Sequence, residues 1–192
     1  RQLFAYRSRV LAGDWQRSPT FCLQTPSLFE LGGSTLTIVG GGVLGQGLAE
    51  LARGLGMRIV FAEHKGVAHA RSGRVPFSEA LAAADVLSLH CPLSQETRNL
   101  IGAPELAQMK RSAILINTAR GGIVDEAALL EALQRGVIAG AGVDVLSEEP
   151  PRNGNLLLDV DLPNLIVTPH IAWASVETVE KLAEQLIGNV EA

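Results

Sequence analysis

The chain has 192 residues, of which 47% are hydrophobic and 19% charged, with a formal net charge of −4 at pH 7. A chain of this length suits one domain, which buries roughly 70% of the surface of its unfolded state. The negative net charge and the lack of a basic block argue against nucleic-acid or anionic-membrane binding. No apolar run approaches the ~20 residues of a membrane span, so we expect no membrane association.

The two cysteines, Cys22 and Cys91, stand in unrelated contexts and lack the spacing of metal ligands. We therefore expect reduced thiols in a cytoplasmic protein, with no disulfide and no metal site. The start of the chain at Arg1 shows no signal-peptide pattern and is not a methionine, which suggests a fragment or a processed chain.

Taken in order, the chain opens with a predicted helix over residues 3–15, where apolar side chains recur at helical spacing. Residues 17–33 show no hydrophobic periodicity of a helix or a strand. That stretch nevertheless carries five large apolar side chains, which is unusual for a solvated linker: Phe21, Leu23, Leu28, Phe29 and Leu31. We expect this loop to pack against another surface, such as a second subunit.

A β-prone run then breaks into glycines and turns helical. Gly40, Gly42 and Gly45 have the G-x-G-x-x-G spacing of dinucleotide-binding turns. We expect Gly40 to permit the turn, Gly42 to let the backbone approach a pyrophosphate, and Gly45 to let helix and strand pack closely. The phosphates would lie on free N–H groups at the helix N-terminus. Taken alone, the motif is also compatible with a structural glycine loop.

The next predicted strand, residues 58–62, strengthens the dinucleotide interpretation. It ends at Glu63, which follows Gly45 by 18 residues. An acid at about 20 residues from the glycines is the expected partner of the adenosine ribose hydroxyls. Strand, turn, helix, strand and acid in this order favour a dinucleotide site over a glycine loop.

Helices and strands continue to alternate to the end of the chain. The further predicted elements are a helix over 46–55, a short strand over 74–76, a helix over 79–84 with Ser78 as N-cap, a strand over 85–90, a helix over 103–109, a strand over 113–117, a helix from its cap Asp125 to 135, strands over 139–145 and 165–168, and a C-terminal helix opened by Ser175. This alternation predicts an α/β fold in three layers, with a doubly wound, mostly parallel sheet of Rossmann type.

Polar residues follow several of the later strands, where ligands gather in sheets of this type. Arg120, flanked by glycines, can hold a carboxylate through two parallel hydrogen bonds. His170 can donate a proton near neutral pH. Glu149, five residues after Asp144, lies close enough in sequence to hydrogen-bond that imidazole and favour its charged form. Considered alone, Arg120 is also compatible with an ordinary surface arginine, and His170 with a structural histidine.

Six ordered motifs together resemble the cofactor domain of the D-isomer-specific 2-hydroxyacid dehydrogenases, over nearly the whole chain. They are residues 40–45 (GGGVLG), 90–93 (HCPL), 117–121 (NTARG), 142–145 (GVDV), 149–150 (EP) and 168–170 (TPH). Within that family, residues 15–23 and 170–175 are most similar to glycerate dehydrogenases, also called hydroxypyruvate reductases.

The resemblance implies NAD-dependent interconversion of a 2-keto acid, hydroxypyruvate or glyoxylate, with its D-2-hydroxy acid, glycerate or glycolate. Arg120 would bind the carboxylate and carbonyl of the substrate. His170 would protonate the carbonyl oxygen during reduction, and Glu149 would hold His170 charged.

The resemblance also implies a cofactor pocket. Val43 and Leu44 would meet the pyrophosphate, Glu63 the ribose and Asp144 the nicotinamide end. The other residues that the resemblance assigns to the pocket are Gly40, Gly42, Gly45, Cys91, Pro92, Thr97, Thr118, Ala119, Arg120, His170 and Ala172.

Two departures from the family pattern affect these expectations. The family's usual Asp is replaced by Glu63, which still repels a ribose phosphate and favours NAD over NADP, although His64 and Lys65 beside it weaken that argument. The family also has a substrate-binding domain that this chain lacks, so we expect residues 1–192 to form the NAD-binding domain and to turn over poorly alone. Family members pair through this domain, which suggests a homodimer contact at residues 17–31.

Two other classes of protein remain as alternatives. Non-catalytic, NAD-sensing transcriptional corepressors resemble the same family and can keep the arginine, glutamate and histidine. A generic Rossmann module, such as an adenosylhomocysteinase-like domain, is disfavoured by the series Arg120, Glu149 and His170.

Overall fold

The structure is a computed structural model that describes residues 2–26 and 28–191, without the side chain of Glu191. Its helices are α1 (Leu3–Leu11), α2 (Val43–Gly54), α3 (Phe77–Ala83), α4 (Ala103–Leu106), α5 (Glu126–Gln134) and α6 (Val176–Glu191). Its strands are β1 (Thr35–Val39), β2 (Arg58–Phe61), β3 (Val86–Leu89), β4 (Ile114–Asn117), β5 (Gly140–Val143) and β6 (Leu165–Val167).

The six strands form one sheet in the order β2-β1-β3-β4-β5-β6, and every neighbouring pair is parallel. The predicted α/β architecture is confirmed, and the sheet is wholly rather than mostly parallel. From β1 the chain moves outward to β2 and then returns to form β3 on the other side of β1. The strand order therefore reverses between β1 and β3, and a crevice opens beyond their carboxyl ends, where ligands bind in such sheets.

Both faces of the sheet are covered, which explains the nearly continuous apolar runs of its strands. Leu36 and Ile38 of β1 pack with Ala49 and Ala52 of α2 in one apolar cluster. The alternate residue Val39 belongs to a larger cluster on the other side, together with apolar residues of β3, β4, α3 and α5. The glycine turn after β1 thus projects from a strand that is buried on both faces.

Some sequence predictions of element boundaries are wrong. Helix α1 ends at Leu11, and turns replace the rest of the predicted helix. Residues 74–76 form no strand, because only Val75 makes an isolated bridge, to Ala62. Ser78 does not cap α3. The N-cap position is Pro76, whose φ of −48° leads directly into the helix at Phe77.

Two predicted caps are confirmed. The Asp125 side chain accepts a hydrogen bond from the Ala128 N–H at 3.0 Å. Ser175 Oγ accepts one from the Thr178 N–H at 3.2 Å. Both caps satisfy a donor that would otherwise lack a partner in the first turn of a helix.

Residues 2–26 and 28–31, here called the N-terminal arm, contribute little to the core, and no residue of α1 is buried. The Tyr6 hydroxyl donates to the Pro26 carbonyl at 2.7 Å, and Trp15 Nε1 donates to the Phe21 carbonyl at 2.9 Å. The arm is therefore held together by polar contacts while its apolar side chains face outward. Within the described ranges, no helix combines the length and apolar character needed to cross a bilayer.

Gly45 and Gly47 in α2 offer a matched test of the glycine turn. A Cβ on Gly45 would lie 2.1 Å from the Gly40 carbonyl oxygen, whereas one on Gly47 would meet nothing within 4 Å. We expect Gly45→Ala to lower the free energy of unfolding by about 3 kcal/mol because the backbone must shift. Gly47→Ala should instead raise it, by up to about 1 kcal/mol, through helix propensity. Urea denaturation measures both, and equal effects would contradict the proposed packing.

Candidate active site and dinucleotide site

The glycine turn has the geometry of a phosphate-binding turn. Gly40 has φ +105°, and a Cβ there would lie 2.5 Å from the His90 carbonyl carbon, so packing requires glycine. A Cβ on Gly42 would meet nothing within 4 Å, which leaves space beside the backbone. Gly42 is also the N-cap of α2 and provides no side-chain acceptor for the first-turn N–H groups. These features fit a pyrophosphate group.

The predicted pocket residues lie on both sides of this turn. Val43 and Leu44, in the first turn of α2, are 88% and 77% exposed. Cys91 follows β3 and is half-buried, and burial raises the pKa of its thiol. Thr97 Oγ1 donates to the Pro92 carbonyl at 2.7 Å, so this hydroxyl already holds its own loop. Neither Cys22 nor Cys91 takes part in a disulfide within the described residues.

The structure places Glu63 at the end of β2, as predicted, but turns its carboxylate inward. Only 2% of the residue is exposed. Oε1 accepts hydrogen bonds from the His64 N–H at 2.8 Å and from Arg71 Nη2 at 2.5 Å. Oε2 accepts from the Arg71 N–H at 2.9 Å and from Arg71 Nε at 2.8 Å. We call this arrangement the Glu63–Arg71 clasp.

The clasp holds the pKa of the Glu63 carboxyl far below its ordinary value. The hydrogen bonds from the Arg71 guanidinium are the largest cause, followed by the Arg71 backbone N–H, and together they outweigh the opposing effect of burial. Glu63 is therefore ionised at neutral pH, and its charge is paired with that of Arg71.

Asn117 shapes the turn that carries Arg120. It is the last residue of β4 and is 2% exposed. Its Nδ2 donates to the Arg120 carbonyl and its Oδ1 accepts from the Ala119 N–H, both at 3.1 Å. The Arg120 side chain is exposed and donates to the Ala119 carbonyl at 2.6 Å. Within the described chain no carboxylate pairs with Arg120, so its charge is available to a ligand.

Gly121 brings the Arg120 turn against the loop that follows β5. A Cβ on Gly121 would lie 1.7 Å from the Leu146 carbonyl oxygen, a distance that excludes any side chain. The Leu146 N–H in turn donates to Glu149 Oε1 at 2.8 Å. The turn of Arg120 and the loop of Glu149 are therefore neighbours in space.

The structure also brings His170 and Glu149 together. His170 Nδ1 lies 2.7 Å from Glu149 Oε2, and their side chains are 38% and 33% exposed. Because a carboxylate only accepts, Nδ1 carries the proton in this pair, and Nε2 is left for another partner. His170 has φ +55°, a backbone conformation that is uncommon outside glycine and typical of functional sites.

Asp144 holds the loop that presents His170. Its carboxylate accepts hydrogen bonds from Thr168 Oγ1 at 2.5 Å, the Ile171 N–H at 3.0 Å and the Ala172 N–H at 2.9 Å. Burial raises the pKa of this carboxyl, but these hydrogen bonds outweigh it, so the pKa lies below its ordinary value. Asp144 is 3% exposed, and its bonds leave one acceptor position on Oδ2 for a ligand.

An open cavity of about 340 Å³ lies beside His170 and Glu149. It is bounded by Asp144 and by apolar side chains that include Leu146, Leu158 and Val167. The predicted series Arg120, Glu149, His170 and Asp144 thus occupies one region, at the carboxyl ends of β4, β5 and β6. Thr118, also predicted for the pocket, is exposed in the same turn as Arg120.

Sequence reasoning gave no role to three residues that organise these sites: Arg71, Asn117 and Thr168. Asn117 and Thr168 stand at strand ends next to predicted residues, so their position was a usable signal. Arg71 lies in an aperiodic loop, and nothing in the sequence indicates that it pairs with Glu63.

Comparisons with known proteins agree with this geometry. Residues 1–172 match the model of the D-isomer specific 2-hydroxyacid dehydrogenase, NAD binding domain. The chain is 51% identical over 192 residues to a glycerate dehydrogenase of Methylorubrum extorquens, covering 100% of the chain and 60% of that protein. It is 43% identical over 188 residues to a glyoxylate reductase of Thermococcus litoralis, covering 95% of the chain and 56% of that protein.

A solved structure of a related enzyme has a fold similar to that of this chain. The D-lactate dehydrogenase of Aquifex aeolicus, complexed with NAD and lactic acid, has a TM-score of 0.82 and 30% identity to the chain. The match covers 100% of the chain and 61% of that structure. The chain thus spans about three fifths of the length of these relatives.

The clasp makes the free energy of unfolding depend on pH in the acid range. Because the folded-state pKa of Glu63 is below the unfolded value, its contribution is present above the unfolded pKa of 4.5 and is lost as pH falls below it. We expect the free energy of unfolding of the wild type to fall more steeply than that of Glu63→Gln between about pH 5 and pH 3. Urea denaturation across this range measures the two slopes. Other acids titrate in both proteins, so equal slopes would contradict the clasp.

Proposed function

Because the chain belongs to the D-isomer specific 2-hydroxyacid dehydrogenase family and contains its NAD-binding domain, we propose that it supplies the cofactor site and the catalytic side chains of a 2-keto acid reductase. The reaction is the NAD-dependent interconversion of hydroxypyruvate or glyoxylate with D-glycerate or glycolate. The observation that carries the proposal is the 2.7 Å contact of His170 with Glu149, whose loop meets the turn of Arg120 where Gly121 approaches the Leu146 carbonyl.

Arg120 binds the carboxylate of the substrate in this proposal. Its guanidinium is exposed at the carboxyl end of β4 and has no acidic partner in the described ranges. The fork of N–H donors suits a carboxylate, and a further N–H can reach the adjacent carbonyl oxygen. The brace from Asn117 fixes the turn from which the side chain extends.

His170 donates the proton that the carbonyl oxygen acquires during reduction. With Nδ1 held by Glu149, Nε2 is the nitrogen that faces the substrate. Glu149 is a positioning residue that fixes the orientation of the imidazole ring, and it is itself fixed by the Leu146 N–H. Bound NADH supplies the hydride, while the chain binds, orients and protonates the substrate.

The glycine turn holds the dinucleotide. Gly42 gives the pyrophosphate access to the uncapped N-terminus of α2, beside Val43 and Leu44. Asp144 offers its remaining acceptor position toward the nicotinamide end. On the other wall stand Cys91 and Pro92, after β3, with Thr97 in the same loop. Thr118, Ala119 and Ala172 complete the proposed pocket.

The proposed substrate site is covered on one side only by the described residues. His170 and Arg120 lie at an open edge of the sheet, and the chain spans only 60% of the length of its glycerate dehydrogenase relative. We propose that a substrate-binding domain outside these 192 residues closes the cleft and selects the substrate side chain. The alternative function, a non-catalytic NAD-sensing protein, gains no support from the relatives described above.

We also propose a homodimer formed through the N-terminal arm, in the cytoplasm. Phe21 and Phe29 are 91% and 83% exposed, and Leu28 and Leu31 beside them are also exposed. Exposed apolar clusters of this kind mark protein interfaces. The arm's own hydrogen bonds hold these side chains outward in one arrangement, which reduces the entropy lost on association.

His170→Gln tests the catalytic assignment in the full-length protein that carries this chain. The change removes the proton donor, so we expect kcat for hydroxypyruvate reduction to fall by about 10² to 10⁴-fold with little change in KM. His69→Gln, at an exposed position in the loop after β2, is the control and should leave kcat unchanged. Steady-state rates with NADH measure both variants, and an unchanged kcat in His170→Gln would end the assignment.

A double substitution, Phe21→Ser with Phe29→Ser, tests the dimer. Both side chains are exposed in the single chain, so the change should not lower its stability by more than about 0.5 kcal/mol. We expect the wild type to sediment as a dimer at micromolar concentration and the double variant as a monomer. A wild type that stays monomeric at high concentration would rule out the proposed interface.

A further inference from the structure

We propose that Glu126 is a positioning residue for the reaction and acts through Glu149 and His170. Glu126 lies in the first turn of α5 and binds the loop at residues 146–155, here called the Glu149 loop. This role rests on the proposed function, because the reaction that it serves is the one in which His170 donates the proton. Glu126 itself touches neither the substrate nor the cofactor in this proposal.

Three hydrogen bonds join Glu126 to the Glu149 loop. Oε1 accepts from the Ser147 N–H at 2.7 Å. Oε2 accepts from Ser147 Oγ at 3.0 Å and from Asn155 Nδ2 at 2.8 Å. One carboxylate therefore holds the loop at its start, before Glu149, and at its end, after Glu149. We call these three contacts the Glu126 clamp.

The Glu126 clamp requires a carboxylate rather than an amide. All three groups of the loop donate, and a carboxylate only accepts. In Glu126→Gln an NH2 group would replace one acceptor oxygen, so at least one donor of the loop would lose its partner. The negative charge also suits the first turn of α5, where the helix dipole is positive.

Helix α5 gives the clamp a rigid base. Leu129, Ala132 and Leu133 are buried on one face of the helix and belong to the larger apolar cluster. Asp125 caps the first turn of the same helix. Because α5 is fixed both at its cap and along its buried face, the Glu126 side chain extends from a fixed point of the backbone.

The Glu149 loop has few other ties to the rest of the protein. In the part of the chain that the structure describes, hydrogen bonds from residues 146–155 to elements outside residues 146–159 end at two residues, Glu126 and His170. The loop bounds the open cavity beside His170, and residues 147–150 are exposed. The position of the loop therefore depends on the Glu126 clamp and on the contact of Gly121 with the Leu146 carbonyl.

The shape of the loop sets the position of the Glu149 carboxylate. Oε1 of Glu149 accepts from the Leu146 N–H at 2.8 Å, so the side chain folds back on its own loop. Oε2 of Glu149 lies 2.7 Å from His170 Nδ1. A shift of the loop would carry this carboxylate away from the imidazole and change the direction in which Nε2 points. Through these contacts Glu126 acts on the reaction.

Steady-state kinetics of Glu126→Ala, in the full-length protein that carries this chain, test the proposal. We expect kcat for hydroxypyruvate reduction to fall about tenfold, because proton donation depends on the orientation of the imidazole. KM should stay within about twofold of the wild-type value, because Asn117 braces the turn of Arg120. Glu131→Ala is the matched control and should leave kcat unchanged, because Glu131 is an exposed glutamate of the same helix that pairs with Arg135.

A second background separates positioning from a general weakening of the fold. In Glu149→Ala the clamp has no carboxylate left to position, so the further change Glu126→Ala should lower kcat by less than about twofold. A tenfold loss in both backgrounds would show that Glu126 acts on the fold as a whole and would overturn the proposal. An unchanged kcat in the single variant Glu126→Ala would also overturn it.

Ser147→Ala keeps the proposal testable if Glu126→Ala does not fold, which circular dichroism would reveal. The change removes the hydroxyl donor to Oε2 and leaves the Ser147 N–H bond to Oε1 in place. We expect kcat to fall about threefold with KM unchanged, and to be unaffected by the same change in Glu149→Ala. Losses of equal size in both backgrounds, or no loss in either, would contradict the clamp.

Glu149→Ala alone separates this proposal from the proposed function. A kcat that falls in Glu149→Ala but not in Glu126→Ala would overturn the positioning role of Glu126 and leave the proposed function intact. A kcat that is unchanged in both His170→Gln and Glu149→Ala would overturn both.

Discussion

Close backbone contacts at the carboxyl edge of the sheet join the loops that carry several of the candidate site residues. Gly40 lies against the backbone of His90, and Gly121 lies against the Leu146 carbonyl. Neither contact leaves room for a Cβ, so each joins two strand-end loops as closely as backbones can approach. The first contact joins the loops that follow β1 and β3, and the second brings the Arg120 turn to the Glu149 loop. These backbone contacts set the relative positions of the loops from which the site side chains extend.

Two buried carboxylates carry out related structural tasks at this edge. Asp144 accepts hydrogen bonds from Thr168, Ile171 and Ala172 and so fixes the loop of His170. Glu63 accepts bonds from His64 and Arg71 and so closes the loop after β2. In both, hydrogen bonds to the ionised form outweigh the effect of burial and hold the pKa below its ordinary value. Each acid organises a loop through its charge.

The sequence predicts the fold and the location of the site because both follow from local patterns. The alternation of helical and strand patterns, together with the turn residues, identifies all six strands of the sheet. Because the strands are parallel, the residues that follow them lie at one edge of the sheet. The predicted contact of His170 with Glu149 appears at 2.7 Å for this reason. Ends of elements are predicted less well. The helix placed over residues 3–15 ends at Leu11, because an exposed helix without buried contacts has no tertiary packing to extend it.

What the sequence does not predict is which charges meet across loops. Glu63 stands at the expected distance from the glycines, and from that distance alone it would select NAD. Its partner Arg71 lies eight residues further on, in a loop with no period, and no spacing rule connects the two. The spacing of the motif therefore locates the acid, whereas the group that pairs with its charge depends on how the following loop folds.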